Sequence, residues 1–543
     1  MQLQNIYLTL AWVLCIQLAA WGIGRPLYRL LTGKPEQSLA AGLGVIFSAA
    51  LGYIVLAYAA FALAVLHILY PLVIISGTLA CALVGAVQLF HLRPIPWPTL
   101  SWQDIPLLLG IVFLVSHIPD ALYPVLDIDD NVYHLLIPRL YIENHGLIYL
   151  PSNIFANMPH AVEMLYTVPM AIGDFTAPKV LALAFSFWII AALYIFARPL
   201  LGRFGAGLIP LLYLSGKNIQ WHLGVANIEP AIGFFLLCAC LSLLAWRETG
   251  NTRFLRILAL ACGFVMASKY TGWFFAMAIL GVIGFLLLRS PGLTAANKSA
   301  RKSGRNKKTR GVQHEFASFS YRFRLFTETA LIVLALVAPW LIKNLIFTGN
   351  PVYPNLYGIF GGPFWSEIQE MHYLKYQSYA GGPDKTFFTY LALPWRLLIY
   401  DTTYFYCAVF SASLMPLWLI ALIRPSSYRL PQWPLLVISI SGFALWAFSI
   451  QQGRFLVALV PVMAAAATLA LAPLRDSMRP LAVVFCGIMV LGVYQIVFQL
   501  YAYAPRIEVF TSPREKLMQQ NTNFELCEFL NKVVPEDGKV LIL

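Results

Sequence analysis

About fourteen apolar runs divide this chain, most of them close to 20 residues long, and they decide its solvent before any other feature is considered. A run of roughly 20 apolar residues crosses the hydrocarbon of a bilayer as a helix, because a helix satisfies its own backbone groups where no water can. The runs lie at 4–23, 39–65, 69–90, 105–122, 177–197, 204–216, 229–246, 255–268, 271–288, 326–346, 402–423, 432–449, 455–473 and 480–501. Those at 204–216 and 255–288 are short or closely joined. Composition agrees, since 59% of residues are hydrophobic and only 11% charged, too few to clothe a soluble surface. The expected fold class is an all-α polytopic membrane bundle.

The net charge of +13 would suit a nucleic-acid partner, but its placement argues against one. About ten Lys and Arg fall in the single loop 289–325, and most others sit at the ends of apolar runs. Arg25, Arg29 and Lys34 follow the first run, Arg93 the third, and Arg198 and Arg203 the fifth. Arg247, Arg253 and Arg256 follow the seventh, the 289–325 cluster the ninth, Arg424 and Arg429 the eleventh, and Arg475 and Arg479 the thirteenth. Strict alternation puts these seven loops on one face, which the positive-inside rule makes cytoplasmic. Both termini are then extracytoplasmic. The first run has no basic residue before it and three soon after it, the reverse of a secretory signal, so it reads as a retained span. The eight cysteines show neither metal spacing nor a disulfide framework and read as small core residues.

Three regions follow. Residues 1–104 hold extra N-terminal spans. Residues 105–501 form the main membrane module, with long outer loops at 123–176 and 347–401 and the basic cytoplasmic loop at 289–325. Residues 502–543 turn polar: 523–534 has helical periodicity, Pro535-Glu536-Asp537-Gly538 reads as a turn, and 539–543 as a strand. A lone strand lacks a partner for its backbone, so the tail is expected to begin a small outer domain that is cut short, or to pack on the membrane module.

The first outer loop carries the densest chemistry. Asp127, Asp129 and Asp130 stand within four residues just beyond a span, where carboxylates are costly unless they do something. Val132, Leu135, Leu136 and Leu140 then recur at helical spacing, which predicts a short surface helix in which Asp129 faces Tyr133 and Asp130 faces His134. An N-cap role for either aspartate competes with catalysis. A second helix is expected to open at Asn157-Met158-Pro159, carrying His160, Glu163 and Tyr166.

The order Asp129-Asp130-Asn131-Val132-Tyr133, then Gly146, then Asn157-Met158-Pro159-His160-Ala161-Val162-Glu163-Met164-Leu165-Tyr166 resembles the first outer loop of the GT-C superfamily. More narrowly it is similar to glycosyltransferase family 39, relatives of the protein O-mannosyltransferases and of the aminoarabinose transferase of lipid A. Lys343-Asn344 with Gly349-Asn350-Pro351-Val352-Tyr353-Pro354 resembles a phrase of bacterial members at the outer end of a middle span, and Arg454-Phe455-Leu456 with Pro461 resembles the family's entry to a late span. The likeness covers roughly 105–500 and implies a GT-C-like bundle. It departs from the family in two ways. The pair is Asp-Asp where Asp-Glu is usual, leaving the role of Asp130 open, and about three spans precede the module.

Nucleotide sugars are not available outside the cytoplasmic membrane, so an outward-facing transferase needs a lipid-linked donor. Transfer from a polyprenyl-phosphate sugar needs a general base and positive charge for the departing phosphate. Asp129 is the expected base, with Asp130 orienting it or binding substrate. Arg454 and Lys343 are the expected donor-phosphate ligands, against snorkelling at a helix end. Lys217, Lys269 and Arg139 share the face without a supporting motif. Tyr133, His134, Glu163, Tyr353 and Glu229 are substrate-cavity candidates. No motif calls for a cofactor. A divalent metal held by Asp130 and His134 with Glu163 or His222 stays open, beside the preferred reading of a capped helix with a hydrogen-bonded histidine. The reading is an inverting glycosyltransferase of a bacterial-type inner membrane, moving a sugar from a polyprenyl-phosphate donor to a glycolipid, glycan or protein hydroxyl. The alternative is a polytopic transporter or flippase of a lipid-linked or anionic substrate, for which the sequence lacks an internal repeat.

Overall fold

The computed structural model describes residues 2–33, 42–91, 99–151, 153–289, 318–379, 385–398, 413–474 and 504–519, with short pieces between 484 and 501 and at 532–533. Helices α1 (Gln2–Thr32), α2 (Gly44–Val65) and α3 (Pro71–Phe90) form the N-terminal group. Lipid tails are as apolar as leucine, so helices in a bilayer associate through close backbone packing rather than through exclusion of water. Glycines supply that packing here. A Cβ on Gly52 would lie 1.7 Å from the Ala20 carbonyl oxygen, and one on Gly24 1.7 Å from that of Ser48. α3 packs on α1 through Gly85 and buries only Ile74, Thr78, Ala82 and Gly85, so most of its apolar surface faces outward.

Next comes α4 (Ile105–Val115), extended by the short helix Ile118–Leu122. The first long loop folds as a π-helical turn at Asp130–His134, α5 (Leu136–Glu143), a 3-10 turn at Ile154–Asn157 and α6 (Ala161–Met170). The long α7 (Ala177–Leu214) is broken at Gly202, whose φ of 73° is open to glycine and strained for other residues. This break separates the two runs expected at 177–197 and 204–216. α8 (Glu229–Thr249) is the central helix, buried throughout from Glu229 to Trp246. Against it pack α9 (Phe254–Met266) and α10 (Tyr270–Arg289), and α11 (Phe319–Thr348) packs in turn on those two. The second long loop contributes α12 (Glu367–Tyr379), and the bundle closes with α13 (Leu414–Ile423), α14 (Pro434–Ala447) and α15 (Val460–Leu471).

Among the described residues nine helices are long and apolar enough to cross a membrane, and three shorter apolar helices accompany them. With α7 divided at Gly202, thirteen of the fourteen expected segments are accounted for. The fourteenth, 480–501, lies largely outside the described residues, as do most of the basic loop and nearly all of the features expected at 523–543. The chain is an all-α polytopic integral membrane protein.

The loops expected to share one face do meet at one end of the bundle. Asn251 Nδ2 donates to the Thr32 carbonyl at 2.9 Å, Arg256 pairs with Glu328 at 2.5 Å, and Arg424 donates to the Ala470 carbonyl at 3.3 Å. Arg247 reaches the Pro431 carbonyl and Arg203 pairs with Asp104 at the same end. The acidic loop, the start of α10 and the turn before α15 gather at the other.

The close contact of α1 with α2 yields a stability prediction. Gly52→Ala forces a methyl against a backbone carbonyl that cannot swing away, so the helices must part, at a loss of about 1–3 kcal/mol. Gly77→Ala, with nothing within 4 Å of its Cβ, is the control. Thermal unfolding in detergent should fall by several degrees for the first and stay put for the second; equal midpoints would refute the backbone contact.

Candidate active site

Asp127 shapes the acidic loop. Its Oδ1 accepts from the backbone N–H of Asp129 at 3.0 Å and from that of Asp130 at 3.3 Å, fixing the entry to the turn. The Leu135 N–H then donates to the Asp130 carbonyl at 2.9 Å, five residues back rather than four. That extra residue shifts the phase of everything after it. The expected pairing of Asp130 with His134 is therefore corrected: the two diverge. Asp130 is fully buried and accepts the Ala226 N–H at 3.0 and 3.1 Å, whereas His134 Nδ1 lies 2.9 Å from Glu163 Oε1. The buried face runs through Tyr133, His134, Ile137 and Tyr141, while Val132, Leu136 and Leu140 from the expected apolar stripe are the more exposed. The helix expected at 157–159 begins at Ala161, after the 3-10 turn.

Asp129 points the other way, into a cavity of about 530 Å³. There it forms an ion pair with Arg454, which lies 325 residues further along the chain. Both side chains keep 21% of their surface exposed, so the pair is held yet reachable. Lys269 also lines the cavity, its Nζ 2.6 Å from Glu229 Oε1; the other Glu229 oxygen is 3.7 Å from His222 Nε2. The Phe455 ring lies near both cations, 4.7 Å from Lys269 Nζ and 5.2 Å from the Arg454 guanidinium carbon. Aromatic groups complete the enclosure: Tyr133 stacked on Phe155 at 4.6 Å, Tyr270 and Trp273 of α10, and Tyr373 and Tyr376 of α12.

The cavity wall also includes three buried titratable groups, His134, Glu163 and His160. Burial disfavours charge on each of them. It pushes the Glu163 carboxyl up to about 8 and holds both imidazoles well below their usual range, so burial works against ionisation of the hydrogen-bonded His134–Glu163 pair. Among the described residues, His134 Nε2, Glu163 Oε2 and His160 Nδ1 are buried without a hydrogen-bond partner.

The structure thus brings Asp129, Tyr133, His134, Glu163 and Arg454 to one cavity, with Glu229 linked to it through Lys269. It turns three other expected residues elsewhere. Lys343 is 4% exposed, and its ammonium donates to the Ala156 carbonyl at 2.8 Å and the Met158 carbonyl at 3.2 Å, so it clamps the turn before α6 and does not form part of the cavity wall. Asp130 borders a second, polar cavity of about 200 Å³ with Asp120, Asp127, Lys179 and Arg506; burial, reinforced by Asp127, pushes its carboxyl up to about 7. Tyr353 is buried; its carbonyl accepts from the Tyr270 hydroxyl at 3.0 Å, while its neighbours Val352 and Asn355 line the cavity. Lys269 is the cation that sequence reasoning ranked low. Its signal was a lysine between Ser268 and Tyr270 on the same face as Asp129. Among the described residues no group of three His, Cys, Asp or Glu is arranged to hold a metal ion.

No family model matches the chain, and no curated protein does. Two solved structures of ArnT from Cupriavidus metallidurans are similar to it. The form bound to undecaprenyl phosphate aligns with a TM-score of 0.46 and 14% identity over 80% of this chain and 73% of that one. The apo form gives 0.42 and 14% over 79% and 72%. A likeness at this level carries no argument for activity or ligand.

The clamp by Lys343 is testable. Lys343→Met removes the donor from two buried carbonyls, an expected loss of about 1–3 kcal/mol in stability. A lowered unfolding midpoint in detergent would bear this out; an unchanged midpoint with impaired binding of lipid phosphate would return Lys343 to the ligand set.

Proposed function

We propose that the protein is an inverting glycosyltransferase that moves a sugar from a polyprenyl-phosphate donor to an acceptor hydroxyl at the outer face of an inner membrane. The observation that carries the reading is the Asp129–Arg454 ion pair at the wall of a large, aromatic-lined cavity. It joins a candidate base to a candidate phosphate ligand in one site, with Lys269 in the same cavity as a second cation. Arg454 keeps the role expected from sequence, and in this reading Lys269 takes the second place in the stead of Lys343, whose ammonium is held by the Ala156 and Met158 carbonyls.

In the proposed step the acceptor oxygen attacks the anomeric carbon from the face opposite the phosphate, and its proton passes to the Asp129 carboxylate. The bond from the anomeric carbon to the phosphate oxygen breaks, and its electron pair leaves with the polyprenyl phosphate. The donor phosphodiester carries one negative charge and the departing phosphomonoester two, so cations matter more as the bond breaks. Arg454 can grip phosphate through two parallel N–H bonds, and in doing so it loosens its hold on Asp129. Donor binding therefore frees the base. The carboxylate is then free to receive the acceptor hydroxyl once the donor phosphate is held.

The test uses purified full-length protein in nanodiscs with undecaprenyl-phosphate sugars and native membrane acceptors. Asp129→Asn should lower transfer by about 10²–10⁴-fold while donor lipid still binds. Arg454→Ala should weaken donor binding itself, and Arg454→Lys should recover only part of it because the fork is lost. Unchanged transfer by Asp129→Asn would remove it as the base. Movement of lipid across the bilayer without any sugar transfer would favour the flippase reading.

A further inference from the structure

We infer that the short helix Phe387–Arg396 of the second long outer loop is a membrane-surface anchor, and that its apolar face takes the headgroup–acyl boundary of the leaflet at the cavity end as its partner. The inference is independent of the transferase reading.

The sequence builds this helix the wrong way round for water. Thr386 opens it, its hydroxyl accepting the Thr389 N–H at 3.4 Å. At 3.6 residues per turn, Phe387, Phe388, Leu391 and Trp395 fall within about 100° of arc. All four are exposed, by 58–76%. Leu393 and the following Leu397 are buried on the other side, and there Thr389 and Arg396 are half-buried too. Three aromatic rings and a leucine thus point away from the protein while a hydroxyl and a guanidinium turn toward it. Single exposed apolar residues need no explanation, but four on one helical face do.

The surroundings say what covers that face. The Tyr390 ring packs on Phe448 at 5.0 Å, at the end of α14. Phe448 is itself exposed, as are Leu445 of α14 and Met277 of α10, and these three line an apolar groove of about 680 Å³ between the two helices. In a polytopic bundle such a flank has lipid for its solvent, so the short helix stands at the end of a surface already facing acyl chains. Lys385 precedes the helix and Arg396 ends it, positions from which cations reach lipid phosphates, and the Trp395 indole suits the same boundary. A second copy of the chain fits less well. Four side chains of this exposure offer on the order of 500–600 Å², short of the roughly 800 Å² per partner of a specific protein interface.

The anchor also meets the large cavity. Ile450 and Gln452, two and four residues beyond Phe448, line it, so the ring contact ties the surface helix to the cavity rim. The leaflet surface is thereby held at the level of that rim.

The experiment is photo-cross-linking of the full-length chain in nanodiscs of phosphatidylethanolamine and phosphatidylglycerol. p-Benzoylphenylalanine replaces Phe388, Leu391 or Trp395, one at a time, and Leu334, an exposed position within span α11, serves as the reference for lipid contact. Irradiation should add the mass of one phospholipid at each of the three helix positions, as at Leu334. Phe387→Asp combined with Leu391→Asp should lower the lipid adduct at Trp395 about tenfold, the cost of bringing two carboxylates to an apolar boundary, while the Leu334 adduct stays unchanged. The anchor is overturned if the three positions give no lipid adduct where Leu334 does, or if they cross-link to a second copy of the chain instead. An adduct at Trp395 that survives both aspartates overturns the role of the apolar face in holding the helix there.

Discussion

An ion pair between residues 325 positions apart is a strong constraint on a membrane bundle, and Asp129–Arg454 is the one on which the site depends. Asp129 belongs to a loop between spans and Arg454 to the turn that opens a late span, so the contact closes the cavity by joining the two ends of the helical module. Neither charge could sit alone at this boundary without a large desolvation penalty. Together they are tolerable, and their partial exposure keeps the penalty small. A fully buried pair would be rigid and hard to exchange.

The rest of the acidic loop serves to present Asp129. Asp127 caps the turn, the five-residue hydrogen bond swings Asp130 away, and the Ala226 N–H secures it there. Three neighbouring carboxylates would repel one another if they faced one cavity. The turn separates them, with Asp129 in the larger cavity and Asp127 and Asp130 on the smaller one. Lys343 plays the corresponding part on the far side of the cavity by tying down the carbonyls of Ala156 and Met158, just before the helix that bears Glu163.

Much of this was legible in the sequence, for definite reasons. Apolar run length reports span position directly because the bilayer has one thickness, and even the break at Gly202 shows as a gap between runs. That Asp129 and Arg454 each call for a partner could be read because cations and carboxylates are scarce at that end. What periodicity could not deliver was phase. A single five-residue turn reassigns Asp130 and His134, and no propensity marks it. Nor could charge scarcity distinguish Lys343 from Lys269: both are lysines at span ends with aromatic neighbours. Only the packing shows that one ammonium is consumed by backbone carbonyls and the other stands on the cavity wall.

That difference bears on how a cavity with several charges can remain stable before substrate arrives. Arg454 is offset by Asp129 and Lys269 by Glu229, and burial disfavours charge on both His134 and Glu163. The cavity is therefore close to electroneutral when nothing is bound, which limits the cost of placing it at the edge of the hydrocarbon. Under the proposed transfer, the single negative charge of a donor phosphodiester would be met by Arg454, and the second charge that develops on the leaving phosphate would be matched by protonation of the Asp129 carboxylate as it takes the acceptor's hydrogen.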